Sequence, residues 1–300
     1  MKKQVKFIFA AVTLFLGTTL SASALPLAQP ELAAAEQKAT VDLMKMERDA
    51  RCKQVLVTAM VNGQPMRMML DTGASHTVLH DESAAKLKNA AWIDTSHIVF
   101  KGNSTQRPKM LIAALEVGPG VSPQHPVIVV SLAAVRSMMA EKIDGIVGMD
   151  LLGSLPFTFD LRNNELYWGA PGKGSLVPIS GERDVFGRLF AKLKCGGNDF
   201  SLLLDTGSSV TRVFKKDWKP GVAGEITAHI GDVDTASRQK MTEGNPGKIE
   251  IAPGVELKEV SPLICDETEH AILGMDALEG SALVHLPSET SPHGAFFIIR

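Results

Sequence analysis

From Lys53 onward the apolar positions recur with the two-residue period of strands, interrupted at short intervals by Gly, Pro and Asn. Gln54 to Val61 and Pro65 to Leu70 flank Asn62-Gly63, a pair suited to a tight hairpin turn, and the second arm runs straight into Asp71. Further strand-like runs follow at Ile98 to Lys101, Met110 to Val117, Val127 to Ser131, Phe157 to Leu161 and Glu165 to Trp168. Short strands with turn residues between them predict an all-β unit. A brief helix fits at Ala133 to Glu141 or at Asp150 to Gly153. Gly169 to Gly181 gathers Pro171, Gly172, Gly174 and Pro178 and reads as a connection, after which a second unit runs from about Asp184 to a last apolar strand, Phe296 to Ile299. Upstream the pattern differs. Residues 28 to 51 place Leu32, Ala35, Ala39, Leu43 and Met46 on one helical face, with Glu31, Lys38, Asp42 and Lys45 elsewhere. That spacing predicts a helix packed outside the first unit; a propeptide over a cleft or a dimerisation helix would use the same face.

The chain repeats itself. Leu70-Asp71-Thr72-Gly73-Ala74-Ser75 returns as Leu204-Asp205-Thr206-Gly207-Ser208-Ser209. Nine residues before each Asp stands a turn pair, Asn62-Gly63 and Gly196-Gly197, and an apolar run leads from it into the Asp. Far downstream come matching closures, Ile146-Val147-Gly148-Met149-Asp150 and Ile272-Leu273-Gly274-Met275-Asp276. Two copies of one fold therefore follow each other. For a single Asp-Thr-Gly the structural reading is a turn in which Asp caps a backbone amide. Two copies with matched hairpins and closures ask for a shared role.

Composition and charge narrow the classes. Lys2, Lys3 and Lys6, an apolar stretch from Phe7 to Leu20 and Ala22-Ser23-Ala24 read as an export leader cleaved before Leu25. A membrane anchor would need about 20 apolar residues, and this run is shorter and holds Gly17, Thr18 and Thr19. The expected product is exported, periplasmic or secreted, with no membrane span once the leader is gone. A net charge of −2 over 300 residues argues against a nucleic-acid partner, which calls for a basic face. Three cysteines, Cys52, Cys195 and Cys265, allow one bridge at most; Cys195 with Cys265 is preferred because both lie in the second copy. The resulting division is a leader over 1–24, a helical segment over 25–52, a first lobe over 53–168, a linker over 169–183 and a second lobe over 184–300.

Apolar-apolar-Asp-Thr-Gly-Ala/Ser-Ser, followed far downstream by apolar-apolar-Gly-Met-Asp, resembles the retropepsin-like aspartic proteases, here as two tandem copies covering nearly all of residues 53 to 300. Ile143 to Leu152, then Phe157-Thr158-Phe159-Asp160, is especially similar to the exported bacterial members. The resemblance implies a mainly β, bilobal pepsin/retropepsin-like fold whose pseudo-twofold axis brings Asp71 and Asp205 together at the floor of one cleft. It implies an endopeptidase that binds an extended polypeptide, works as a monomer and needs no cofactor and no metal. Thr72 and Thr206 would brace the turns across the interface, and Gly73 and Gly207 would allow close backbone approach. The sole tyrosine, Tyr167, falls after the first closure, so the flap tyrosine of pepsin-like enzymes has no evident counterpart. Flap hairpins are expected around Gly102-Asn103 in the first lobe and around Gly231 to Asp234, at Gly231 and Asp232, in the second. A non-catalytic peptide-binding module on the same fold is the alternative, and an oligomer in which Asp71 meets another Asp71 is a third arrangement.

Two carboxylates brought close in a partly desolvated cleft cannot both ionise, so one serves as base and the other as acid. The motifs differ at the third position after Asp, Ala74 against Ser208. A hydroxyl there could donate to Asp205 and favour its charged form, which would leave the proton on Asp71 and place the optimum at weakly acidic pH. Other features have plainer readings: Met66, Met68 and Met69 as core rather than copper ligands, His76 and His80 as residues of an extended run rather than a metal pair, and Lys215, Lys216, Trp218 and Lys219 as a solvated turn.

Overall fold

The computed structural model describes residues 6–9, 22–23, 42–94, 108–171, 174–231, 236–265, 271–288 and 294–299. The chain is mainly β, and the described residues form three sheets of twelve, eight and six strands. Each lobe begins with the hairpin anticipated from its turn pair. Val55–Val61 pairs with Gln64–Leu70 across Asn62 (φ 47°) and Gly63 (φ 73°), and Leu189–Cys195 pairs with Asn198–Leu204 across Gly196 (φ 57°) and Gly197 (φ 79°). Positive φ at both turn positions gives the twist that two-residue hairpins require.

The closures then thread beside the second arm of each hairpin. Gly145–Val147 lies parallel to Gln64–Leu70, with Val147 opposite Leu70, and antiparallel to Val78–His80. Ile272–Leu273 does the same in the second lobe, with Leu273 opposite Leu204 and Ile272 opposite Arg212. Gly148 and Gly274 follow, and each lets the chain pass where a Cβ would come within 2.6 Å of His76 C and 2.5 Å of Val210 C respectively. Short helices, Met149–Leu152 and Met275–Leu278, follow the glycines, and Ala133–Met138 is also helical.

The six-stranded sheet joins the lobes. Its order is Val177–Pro178, Ala295–Ile299, Ala282–Leu286, Phe157–Asp160, Glu165–Trp168 and Asp42–Lys45, so a first-lobe hairpin and a second-lobe hairpin meet edge to edge at Phe157↔His285 through Asp160↔Ala282. Within it Phe157 stacks on Phe159 and on His285, and Phe296 meets Phe157 edge-on, all fully or almost fully buried. Met66, Met68 and Met69 lie in the core behind the Asp71 turn, as their strand placement predicts. Among the described residues no helix is long and apolar enough to cross a membrane.

Three expectations change. Within the stretch read as an N-terminal helix, Asp42–Lys45 and Glu47–Arg48 are strands; the first pairs antiparallel with Glu165–Trp168 and the second with Val55–Leu56. An open sheet edge supplies hydrogen bonds that outweigh a local helical period. Residues 28–41 lie outside the described set. Second, the connection over 169–183 is partly strand: Val177–Pro178 joins Ala295–Ile299, and Gly181–Arg183 joins Leu189–Cys195 while also pairing with Ala22–Ser23. Third, none of the three cysteines forms a disulfide, and all are buried. Cys195 and Cys265 end strands separated by three others in the sheet, so at about 4.8 Å per strand their Cα atoms are far beyond the roughly 7 Å a disulfide can span.

Candidate active site

Each aspartate sits at the end of a buried strand, with its own turn wrapped around it. Asp71 N donates to Val147 O at 3.1 Å and Asp205 N to Leu273 O at 3.1 Å, which ties both to their closures. The side chain then accepts the next amides: Gly73 N (2.8 Å) and Ala74 N (3.0 Å) bind Asp71 Oδ1, while Gly207 N (2.8 Å) and Ser208 N (3.1 Å) bind Asp205 Oδ1. One oxygen of each carboxyl is thus held by local backbone. The other accepts none of these amides.

The two turns interlock across the lobes. Thr72 N donates to Thr206 Oγ1 and Thr206 N to Thr72 Oγ1, and the hydroxyls donate onward to Leu204 O and Leu70 O. Gly73 lies against the Asp205 carboxyl and Gly207 against the Asp71 carboxyl so closely that a methyl at either would overlap it. Only glycine fits there. The structure therefore brings Asp71, Thr72, Gly73, Asp205, Thr206, Gly207 and Ser208 together, and the two carboxyls lie within hydrogen-bonding reach of each other.

A second ring of paired groups supports the turns. Thr77 N and Oγ1 donate to Asp150 at 2.9 and 2.8 Å, and Thr211 N and Oγ1 donate to Asp276 at 2.8 and 2.6 Å. Gln54 Nε2 reaches across to Gly207 O at 3.0 Å, and Arg188 Nη1 to Gly73 O at 3.3 Å. None of these was singled out from the sequence as a site residue. Superposing the two copies on their aspartates would have exposed them, because Thr77 and Thr211 stand six residues after the Asp and Gln54 and Arg188 seventeen before it.

The dyad is asymmetric, in the opposite sense to that expected from Ser208. The Ser208 hydroxyl donates to Val210 O at 2.9 Å rather than to Asp205, since the tight turn offers it a backbone acceptor first. Burial raises the Asp71 carboxyl, and the hydrogen bond with Asp205, the Gly73 and Ala74 amides and the Arg188 cation all pull it back. Burial pushes Asp205 well above the usual carboxylate range, and the neighbouring Asp71 charge pushes it further, against a smaller pull from Arg212 and the Gly207 amide. Asp205 Oδ2 is buried with no backbone donor among the described residues, so the Asp71 carboxyl is the group left to satisfy it. Both carboxyls are therefore raised, Asp205 the further, and the pair holds one proton between them.

The flap positions give less. Gly102, Asn103 and Asp232 lie outside the described residues, and Gly231 closes the strand Val222–Gly231, which pairs with Ala236–Gly244 as a long second-lobe hairpin. Helix Ala133–Met138 of the first lobe lies against both strands of that hairpin. His76 and His80 diverge: the His76 ring packs 4.9 Å from Phe186 of the second lobe, whereas His80 Nδ1 accepts Leu132 N at 2.9 Å. Trp218 is buried with its Nε1 on Asn245 O at 2.9 Å, which anchors the lysine-rich turn from inside.

Residues 57–151 match the family model described as aspartyl protease, a span that includes the Asp71 turn and the whole first closure. No curated protein matches the chain.

Proposed function

We propose, for a chain that belongs to the aspartyl protease family through residues 57–151, that it is an aspartic endopeptidase whose water is activated between Asp71 and Asp205. The observation that carries this reading is the interlock of two Asp-Thr-Gly turns, each glycine lying under the other lobe's carboxyl. A turn that merely capped its own amides would need no second copy facing it.

In the proposed reaction an extended peptide lies between the lobes and a water stands between the carboxyls. Asp71, charged, takes a proton from the water as its oxygen attacks the scissile carbonyl carbon. Asp205 gives its proton to the carbonyl oxygen, and a tetrahedral gem-diol results. Collapse returns one hydroxyl proton to Asp205 while Asp71 passes its proton to the amide nitrogen, and the C–N bond breaks. The dyad ends as it began, with no covalent intermediate. The amides of Gly73 and Ala74 hold Asp71 Oδ1 in place throughout, which keeps the reacting oxygen oriented before substrate arrives. The extended substrate would dock by strand-like backbone hydrogen bonds along the cleft. The leader carrying Lys2, Lys3 and Lys6 would deliver this activity outside the cytoplasm.

The test is digestion of a random peptide library by the mature protein between about pH 4 and 8, beside Asp71→Asn and Asp205→Asn. Cleavage should fall by about a thousandfold or more in each variant. Cleavage retained by either variant, or a wild type that binds peptides without cutting them, would make the fold a binding module instead.

A further inference from the structure

One of the buried positions at which the two lobes differ reaches across to the opposite Asp-Thr-Gly turn. Gln54 and Arg188 are pseudo-twofold mates. Each follows a turn whose aspartate binds its backbone carbonyl, Asp49 N to Gln54 O at 3.0 Å and Asp184 N to Arg188 O at 3.2 Å. Each crosses to the opposite lobe and donates to the carbonyl of the motif glycine, Gln54 to Gly207 O and Arg188 to Gly73 O. The hydrogen bond is the same on both sides. The charge is on one side only.

The peptide unit that each of them touches leads directly to a carboxylate. Arg188 binds the carbonyl of the Gly73–Ala74 peptide, and the N–H of that same peptide donates to Asp71 Oδ1 at 3.0 Å. Gln54 binds the carbonyl of the Gly207–Ser208 peptide, whose N–H donates to Asp205 Oδ1 at 3.1 Å. A guanidinium polarises the peptide it binds more strongly than an amide does, so the N–H at its far end becomes the better donor to a negative oxygen. The turn aspartates keep the contrast. Asp184 holds Arg188 through Nε at 2.6 Å, whereas Asp49 spends its oxygens on the amides of Arg51, Cys52, Ala140 and Glu141 and holds no cation on Gln54.

We propose that Arg188 is the positioning residue that keeps the negative charge of the dyad on Asp71, acting through the Gly73–Ala74 peptide, with Gln54 as its neutral mirror at Asp205. This rests on the aspartic endopeptidase reading. The other ionisable groups facing these residues are Asp184 and His76 around Arg188, Asp150 and His125 behind His76, and Arg212 beside Asp205. Arg212 stands where the first lobe has Val78. Its cation works against the assignment, yet Asp205 remains the more strongly raised of the two acids, with burial and the Asp71 charge as the main causes.

The experiment is the pH profile of kcat/KM for wild type, Arg188→Gln, Arg188→Lys and Gln54→Arg, each checked for a folded circular dichroism spectrum. The acidic limb reports protonation of the base and the alkaline limb loss of the acid's proton. Arg188→Gln makes the two sides alike, so the acidic limb should move up by about one pH unit, which lowers kcat/KM on that limb about tenfold while the plateau changes little. Arg188→Lys, which keeps the charge, should leave the limb near its wild-type position. Gln54→Arg adds a cation on the Asp205 side and should bring the alkaline limb down. An unmoved acidic limb in a folded, active Arg188→Gln, or equal shifts in the Gln and Lys variants, would overturn the proposal. Should Arg188→Gln not fold, an unmoved alkaline limb in Gln54→Arg would overturn it instead. A wild type that cleaves nothing at any pH would instead remove the endopeptidase reading beneath it.

Discussion

Thr72 and Thr206 exchange hydrogen bonds in both directions: each backbone N–H reaches the other's hydroxyl at 3.1 Å, and each hydroxyl donates to the strand that delivers the other's aspartate, at 2.8 Å to Leu204 O and 3.0 Å to Leu70 O. Both threonines are buried, so each hydroxyl is acceptor and donor at once with no water to replace it. Thr206→Val keeps the shape and removes both roles, leaving a buried N–H and a buried carbonyl without partners. It should cost about 2–4 kcal/mol in urea unfolding and lower kcat/KM at least tenfold. Thr206→Ser keeps the hydroxyl and should stay within about 1 kcal/mol of wild type.

Gly73→Ala and Gly207→Ala test how closely the lobes interlock. In each the new methyl overlaps the opposite carboxyl, and relief requires the turns to separate. A displacement of about 1 Å at the reacting groups is enough to lower kcat/KM about a hundredfold. Wild-type cleavage by either variant would mean that the turns do not meet as described.

Asp205→Asn should trade activity for stability. The folded-state pKa of Asp205 is raised, chiefly by burial and then by the Asp71 charge, so the folded chain binds more protons than the unfolded one and loses stability as pH rises above the unfolded value of about 3.9. A neutral side chain removes that loss. Calorimetry at pH 7 should show Tm higher by about 3 °C or more in the variant, with the gain vanishing near pH 3, where the wild-type carboxyl is protonated in both states. An equal decrease at both pH values would show that the site does not carry this strain.

Asp160 has the opposite sign. Burial raises its pKa, but the Arg162 guanidinium and the amides of Arg162 and Asn163 outweigh that and hold it below the usual value. It accepts Arg162 Nε at 2.9 Å and Nη2 at 2.7 Å at the end of the strand that joins the lobes. Its contribution is present above the unfolded pKa and is lost as pH falls through the lower folded one. Asp160→Asn should cost about 2–3 kcal/mol at pH 7 and flatten the acid side of the stability curve. Unfolding curves from pH 2 to 7 check both statements.

Elements whose cause is local were legible in the chain. Asn62-Gly63 and Gly196-Gly197 became hairpin turns because positive φ is a property of those residues themselves. The closures were legible as a matched pair because apolar-apolar-Gly-Met-Asp occurs twice. The strand Asp42–Lys45 was not legible, since its partner Glu165–Trp168 lies far along the chain and the helical spacing around Leu43 and Met46 was the stronger local signal. The Ser208 hydroxyl misled for a related reason. Its acceptor, Val210 O, is set by the path of the turn after the motif and cannot be read from residue type.

By itself the sequence determined that there are two carboxylate turns and how each one holds its own Asp, because those hydrogen bonds run only two or three residues along the chain. Tertiary structure alone decided that the turns interlock and that the two carboxyls meet in a buried site. Long-range neighbours set the solvation and field at a buried carboxyl. For Asp71 these include Arg188, and for Asp205 Gln54, each reaching in from the opposite lobe.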